Sequence, residues 1–258
     1  MPRFCANISF LFTELPFTAR FQAAAEAGFK GVEFLFPYDE PADKLARLAK
    51  EAGVEIVLFN IWPGDWDAGS RGLAGIGGNE TEFFERLNQA LSYARILNCK
   101  QLHAMAGLTA HGANEDTFVD NLKSAADIAI RDGVTLLTEP INTKDMPGYL
   151  VTKTAQATGI IARVNKPNVG LQFDLYHRHK EEGSVAEAID EFGNRANHYQ
   201  IASPPDRGEP DEGELDFKTL ITKIDQSGYA GWIGCEYRPR GETTAGLKWL
   251  DAYRDPSA

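Results

Sequence analysis

The sequence is short of most features that would take it outside the ordinary globular class. Cysteine occurs three times in 258 residues, as Cys5, Cys99 and Cys235, an odd and scattered set that makes no disulfide framework. Each lies in an apolar run, which reads as a buried free thiol of a reducing cytoplasm. No apolar stretch reaches membrane-spanning length, and the opening MPRFCANISFLF has neither the long hydrophobic region nor the small-residue cleavage pattern of a signal peptide. Positive charge is scarce: 26 Lys and Arg stand against 37 Asp and Glu, a net charge of −11. A field of that sign opposes phosphate neutralisation, so the expected partners include no nucleic acid and no membrane. The glycine fingerprint of a dinucleotide-binding open sheet is missing after the first apolar run, at Asn7-Ile8-Ser9-Phe10. Neither Gly77-Gly78 nor Arg240-Gly241-Glu242 fits a phosphate loop, so no nucleotide cofactor is expected. No Pro/Ser-rich linker or shift in composition divides the chain, and residues 1–258 read as one domain.

What is present is alternation. Short apolar or β-branched runs at 4–10, 31–36, 54–60, 100–105, 134–139, 169–174, 198–201 and 232–236 read as strands. Stretches of helical period lie between them at 17–27, 43–52, 80–97, 117–131, 154–164, 185–195, 217–226 and 243–253. Eight strands, each followed by a helix, predict an α/β fold of the (β/α)8 TIM-barrel type. Four helices end in a glycine just before a strand, at Gly28, Gly53, Gly133 and Gly228, where a left-handed residue turns the chain back in one step. The connections leaving strands are longer, notably 62–79, 106–115, 141–150 and 202–216, and they collect at the end of the barrel where such folds carry their chemistry. A chain of this length buries roughly three quarters of its unfolded surface, so a metal is not needed to hold the fold. Any metal serves chemistry.

Each of the last four strands delivers one oxygen-bearing side chain near its C-terminal end: Glu139, Asp174, Gln200 and Glu236, separated by 35, 26 and 36 residues. One βα unit apiece places them around half of a single rim. Three crowded carboxylates repel unless a cation sits among them, and an oxygen-only donor set suits Mg2+ or Mn2+ better than Zn2+.

The segments LLTEPIN, QFDLYH, HYQIA and GCEYRP, with the opening RFCANISFLF, GVEFLFPYD and the loop RGEPDEGELDF, resemble the hydroxypyruvate isomerase family of xylose-isomerase-like barrels, including its 2-oxo-tetronate isomerase branch. The resemblance implies metal ligands Glu139, Asp174, Gln200 and Glu236, and makes the glutamates Glu139 and Glu236 the acid/base pair. It also implies His177 and Arg207 as substrate-binding residues, with Arg207 gripping a substrate carboxylate. The implied partner is a small hydroxy-oxo acid that is isomerised through an enediolate; a homo-oligomer is compatible with this reading. Sugar 3-epimerases share the chemistry but usually carry histidine where Gln200 stands. Abasic-site nucleases of the same barrel need a histidine-rich zinc cluster and a basic face, which this sequence lacks. A non-catalytic ligand-binding barrel would give no reason for three acids and an amide to converge.

Other residues have competing readings. His177 could instead cap the helix after its strand, and Arg207 could pair with Asp206, Glu209 or Asp211. His103, near the end of its strand, reads as a satisfied core histidine rather than as another pocket donor, and His198 starts a strand with no visible partner. Glu33 points to the same rim and could orient a pocket residue. Arg71 reads as surface solvation or a weak anion site, and its loop, 62–79, as a mobile lid or as packing alone.

Overall fold

The computed structural model describes residues 2–253; residue 1 and residues 254–258 of the expected domain lie outside the described residues. Eight parallel strands close into a barrel in chain order: β1 (Arg3–Asn7), β2 (Gly31–Phe34), β3 (Glu55–Asn60), β4 (Gln101–His103), β5 (Thr135–Thr138), β6 (Val169–Asp174), β7 (Ala196–Ile201) and β8 (Trp232–Cys235). Pairing of β1 with β8, Phe4 opposite Ile233 and Ala6 opposite Cys235, shuts the cylinder. All eight expected strands are present, most of them shorter than their apolar runs because the last residues of each run already belong to the rim.

Outside the barrel lie α1 (Arg20–Glu26), α2 (Ala42–Ala52), α3 (Glu80–Leu97), α4 (Glu115–Ala129), α5 (Thr154–Val164), α6 (Leu175–Glu182), α7 (Val185–Phe192) and α8 (Phe217–Gln226), followed by a 3₁₀ helix over Thr244–Tyr253. The four helix-ending glycines have φ of 92°, 72°, 64° and 80°, the left-handed turn their position requires. The helix missing from the sequence reading is α6. Its sequence, LYHRHKEE, has no apolar stripe, so periodicity gives no sign of it; it forms because Asp174 caps its first turn, accepting hydrogen bonds from the backbone N–H of Tyr176 at 2.7 Å and His177 at 3.4 Å. No helix among the described residues is long and apolar enough to cross a membrane.

The 62–79 loop is docked rather than loose. Gly75 N–H donates to Ala106 O at 2.9 Å, Asn114 N–H donates to Gly75 O at 2.9 Å, and Ile76 forms an isolated bridge with Ala113. Gly72, at φ 127°, lies so close to the β4 exit that a Cβ would run into the carbonyl oxygen of Met105. Trp66 packs on Phe36 at 5.6 Å and Trp62 on Tyr38 at 6.0 Å. Of the two readings of this loop, packing matches the observed contacts.

Two glycines separate backbone strain from close approach. Gly53→Ala meets no atoms within contact and carries the left-handed penalty alone, about 1–2 kcal/mol. Gly72→Ala adds overpacking against backbone, for a total of about 2–4 kcal/mol. Urea denaturation of the two variants is expected to show that order.

Candidate active site

The strand ends converge on one cavity of about 580 Å³ whose lining includes Glu139, Glu236, His103, His177, Arg207 and Arg71. Period two along the strands governs what stands in it. Residues two apart share a face, so Asp174 and Gln172 on β6, and Gln200 and His198 on β7, form an upper and a lower inward layer. The register agrees, with Asp174 opposite Gln200 and Gln172 opposite His198.

Glu139, Asp174 and Glu236 are all buried. Burial drives the Glu139 carboxyl well above its ordinary range, and the neighbouring Glu236 and Asp174 push it further. Glu236 is pushed up to about 8, by burial first, with Arg207 pulling the other way. Asp174 is also raised by burial, against the pull of Arg207. Two oxygens facing this crowd, Glu139 Oε1 and Asp174 Oδ2, are buried without any hydrogen-bond partner. An orphaned carboxylate oxygen in a dry site is costly unless a cation or a proton takes it. Ligand atoms of Glu139, Asp174 and His177 lie within 4.8 Å of one another, close enough to hold a metal ion. The donor set therefore fits a divalent cation.

His177 stands in the first turn of α6 with its ring in the pocket, and Asp174 rather than His177 caps that helix. Its Nδ1 accepts from the backbone N–H of Asn142 at 3.4 Å and lies 2.6 Å from the Asn142 amide nitrogen. With Nδ1 the acceptor, the neutral ring carries its proton on Nε2, which faces Asp174 Oδ2 at 3.7 Å and Glu139 Oε1 at 3.9 Å. Burial and then the Arg207 charge hold His177 well below its ordinary pKa, so it is a neutral donor. His103 also belongs to the pocket wall, contrary to its core reading: Nδ1 lies 3.6 Å from Glu139 Oε2, and burial lowers its pKa to about 3. Its position as the last residue of β4 is the signal that marks it.

Arg207 does not pair with the acids of its own loop. Its Nη2 binds Glu236 Oε1 and lies 3.6 Å from Asp174 Oδ2, while its guanidinium sits 5.0 Å from the Phe10 ring centroid and 5.1 Å from that of Tyr176. Arg240 takes the loop acids instead, reaching Glu209 at 2.9 Å, Asp211 at 2.6 Å and Glu212 at 3.0 Å. Gln200 is placed among the acids, but its amide is turned so that Nε2 donates to Glu236 Oε2 at 2.6 Å and Glu33 Oε1 at 2.8 Å, while Oε1 accepts from Gln172 at 2.7 Å. A half turn of the Gln200 amide would present its oxygen to a cation only if the Gln172 amide turned with it, since Gln200 Oε1 accepts from Gln172 Nε2; the turned Gln172 would then offer its Oε1, which is buried and unpartnered, to the Gln200 NH2.

Beneath the carboxylates lies a network that the sequence reading did not assemble. His198 has its partner in Glu33, Nε2 to Oε2 at 2.6 Å. The Glu33 carboxylate also accepts from Asn7 at 3.1 Å and from the Cys5 thiol at 3.3 Å. Burial pushes Glu33 up, but His198 and the hydrogen bonds from His198, Gln200 and Cys5 outweigh it and hold the carboxyl below its ordinary range. Asn7 completes the link by donating to Glu236 Oε2 at 2.8 Å. Counting back two residues from Gln200 would have found His198; nothing in sequence points from there to Glu33, 165 residues away.

His198→Ala removes the shortest of these bonds from a fully buried carboxylate and is expected to cost about 3 kcal/mol or more in urea denaturation. The Glu33 pKa is depressed in the folded state, so the stability it contributes is present above the ordinary carboxylate range and fades as pH falls through its folded value. The wild-type advantage over His198→Ala should shrink accordingly on acidification.

Comparison with known proteins agrees with this fold. A family model for the xylose isomerase-like TIM barrel matches residues 21–253. The 2-oxo-tetronate isomerase of Cupriavidus necator is 46% identical over 98% of this chain and 99% of its own length, and the hydroxypyruvate isomerase of Escherichia coli is 42% identical over 98% and 100%. A crystal structure titled AP endonuclease, family 2, from Brucella melitensis superposes with a TM-score of 0.96 at 50% identity, covering 99% of this chain and 100% of that one. The chain belongs to the xylose isomerase-like TIM-barrel family.

Proposed function

We propose that this isomerase interconverts a short, unphosphorylated hydroxy-oxo acid, first hydroxypyruvate and 2-hydroxy-3-oxopropanoate, by moving a proton between adjacent carbons with Glu139 and Glu236. The observation that carries this reading is the crowding of the buried side chains of Glu139, Asp174 and Glu236 at one end of the barrel, with two carboxylate oxygens left unpartnered. In the proposed site Glu139, Asp174, Glu236 and Gln200 hold Mg2+ or Mn2+. When bound, the ion supplies polarisation of the substrate's carbonyl and hydroxyl oxygens, and its charge lowers the carboxyl pKa values so that Glu139 and Glu236 can act as bases.

The glutamates follow β5 and β8, so the two acids reach the substrate from different sides of the cavity. One takes the proton from the hydroxyl-bearing carbon and the other returns a proton to the former carbonyl carbon, through an enediolate, while the hydroxyl proton passes to the former carbonyl oxygen. His177 Nε2–H donates to the oxygen on which charge develops, held in that tautomer by Asn142. Arg207, pinned between Phe10 and Tyr176, binds a substrate oxygen beside Glu236. The docked 62–79 loop walls this chemistry from water.

The four-carbon acid of the C. necator relative's name is the second reading, supported by that relative's 46% identity over 98% of this chain. Nuclease chemistry, which the Brucella title suggests, finds no support in a net charge of −11. Three buried free cysteines support a reducing compartment such as the cytoplasm.

Incubation with hydroxypyruvate and its four-carbon homologue in D2O, with and without chelator, tests the reading; metal-dependent isomer formation with deuterium uptake is expected, and full-speed turnover by chelated protein would overturn it. Glu139→Gln and Glu236→Gln should each lower kcat by about 10²–10⁴-fold. In the metal-free protein Glu139 and Glu236 bind protons more tightly than in the unfolded chain, so thermal stability should fall as pH rises from about 5 to about 8. Divalent metal should reverse that fall, stabilising more at the alkaline end, with proton release on binding measurable by calorimetry in two buffers.

A further inference from the structure

An acid substrate brings a carboxylate that needs its own cation, and the pocket's cations are unequally available. Arg207 is committed to Glu236 and Asp174. Lys180 is committed to Asp145 at 2.9 Å and to the Tyr176 hydroxyl at 3.0 Å. Two pocket cations remain without a carboxylate partner among the described residues, Arg71 and Arg238. Arg238 is exposed, and no side-chain hydrogen bond or ring contact holds its guanidinium among the described residues. Arg71 is half-buried and held: its Nη1 donates to Trp66 O at 2.9 Å and Ser70 O at 2.7 Å, and its guanidinium stacks 3.9 Å from the Trp66 ring centroid.

The platform under Arg71 is equally fixed. Trp66 leans on Phe36, and the turn closes through Ser70 N–H to Asp65 O at 2.8 Å and Gly72 N–H to Pro63 O at 3.0 Å. Gly72, next in sequence, presses on the β4 exit where no side chain fits. A guanidinium anchored through one nitrogen keeps the donors of Nε and Nη2 for a ligand, and its entropy cost is met before binding. Such a group suits a planar carboxylate, which it can grip with two parallel bonds.

We propose that Arg71 binds the carboxylate of the substrate, leaving Arg207 to the oxygens at the reacting carbons. This rests on the reading of the substrate as a short acid, and deepens it: the 62–79 loop becomes the element that selects acids over uncharged sugars of the same length. The charge selectivity then resides on a loop of the β3–α3 connection, apart from the strand ends that carry the proton-transfer groups.

Calorimetric titration with tartronate, a three-carbon hydroxy dicarboxylate that cannot isomerise, in the presence of Mn2+ and corrected for a protein-free tartronate–Mn2+ blank, tests this apart from turnover. Arg71→Ala should weaken tartronate binding about tenfold or more, the loss of charge-assisted bonds. Arg71→Lys should recover part of it, and Arg238→Ala should match wild type. With hydroxypyruvate, Arg71→Ala should raise KM and leave kcat near wild type, whereas collapse of the loop would lower kcat as well. Unchanged tartronate affinity in Arg71→Ala, a loss in Arg238→Ala instead, a fall in kcat without a rise in KM, or a wild-type protein that binds no tartronate would each overturn the assignment. A wild-type protein that binds tartronate through Arg71 yet neither isomerises nor exchanges deuterium would refute the proposed reaction and leave the Arg71 site standing.

Discussion

Three carboxylates are buried side by side at the mouth of the barrel, and the rest of the site is arranged around the cost of keeping them there. Two unit charges 4 Å apart repel by about 4 kcal/mol at an effective dielectric of 20, and burial adds the loss of water to each. Protein atoms offset this only in part. Arg207 covers Glu236 and one side of Asp174, two backbone N–H groups cover the other side of Asp174, and Asn7 and Gln200 cover the remaining oxygen of Glu236. Glu139 receives only long contacts from His103 and His177, and one of its oxygens has no hydrogen-bond partner. The deficit is concentrated on Glu139 and Asp174, which with His177 form one of the two groups among the described residues whose ligand atoms lie close enough to hold a metal ion, the other being Cys5, Glu33 and His198.

The layer below explains why the upper groups hold their positions. Glu33 reaches into the barrel at the level of Gly234, where a Cβ would meet its carboxylate oxygens, so the absence of a side chain on β8 makes the room. His198, Asn7, Cys5 and Gln200 then converge on that one carboxylate. Asn7 and Gln200 each split their amide between Glu33 and Glu236. Glu33 is thus a positioning residue: its charge fixes two amides, and these amides fix the Glu236 carboxylate. A buried charge satisfied on all sides specifies one arrangement of its neighbours, whereas an apolar side chain there would leave both amides free to turn.

Much of this was legible in the residue order, because a parallel barrel converts sequence period directly into position. Strand runs, helix-ending glycines and one polar residue at each rim are local signals, and the barrel closes as they imply. What escaped depended on partners distant in sequence or on side-chain direction. Helix α6 has no apolar stripe and exists because Asp174 serves it as a cap. The His198–Glu33 pair joins β7 to β2 across the barrel interior, where no spacing rule reaches. Gln200 lies where its strand places it, yet which end of its amide faces the acids depends on Gln172 and Glu33, neither visible from its own segment. His103 looked like core because its neighbours are apolar, while its place at the end of β4 puts its ring against Glu139.

The division of labour among the arginines follows from competition for the same acids. The 202–216 loop carries Asp206, Glu209, Asp211, Glu212, Glu214 and Asp216, enough negative charge to capture any guanidinium on it. Arg240, on the segment after β8, meets three of these acids, one of them the buried Glu209. With the loop neutralised from outside, Arg207 can turn inward, and its left-handed backbone at φ 58° directs the side chain between Phe10 and Tyr176 onto Glu236. The solvent-exposed pairs of Arg240 with Asp211 and Glu212 are worth little in stability by themselves. Their consequence is the orientation they leave to Arg207, since a guanidinium cannot serve the loop and the cavity at once.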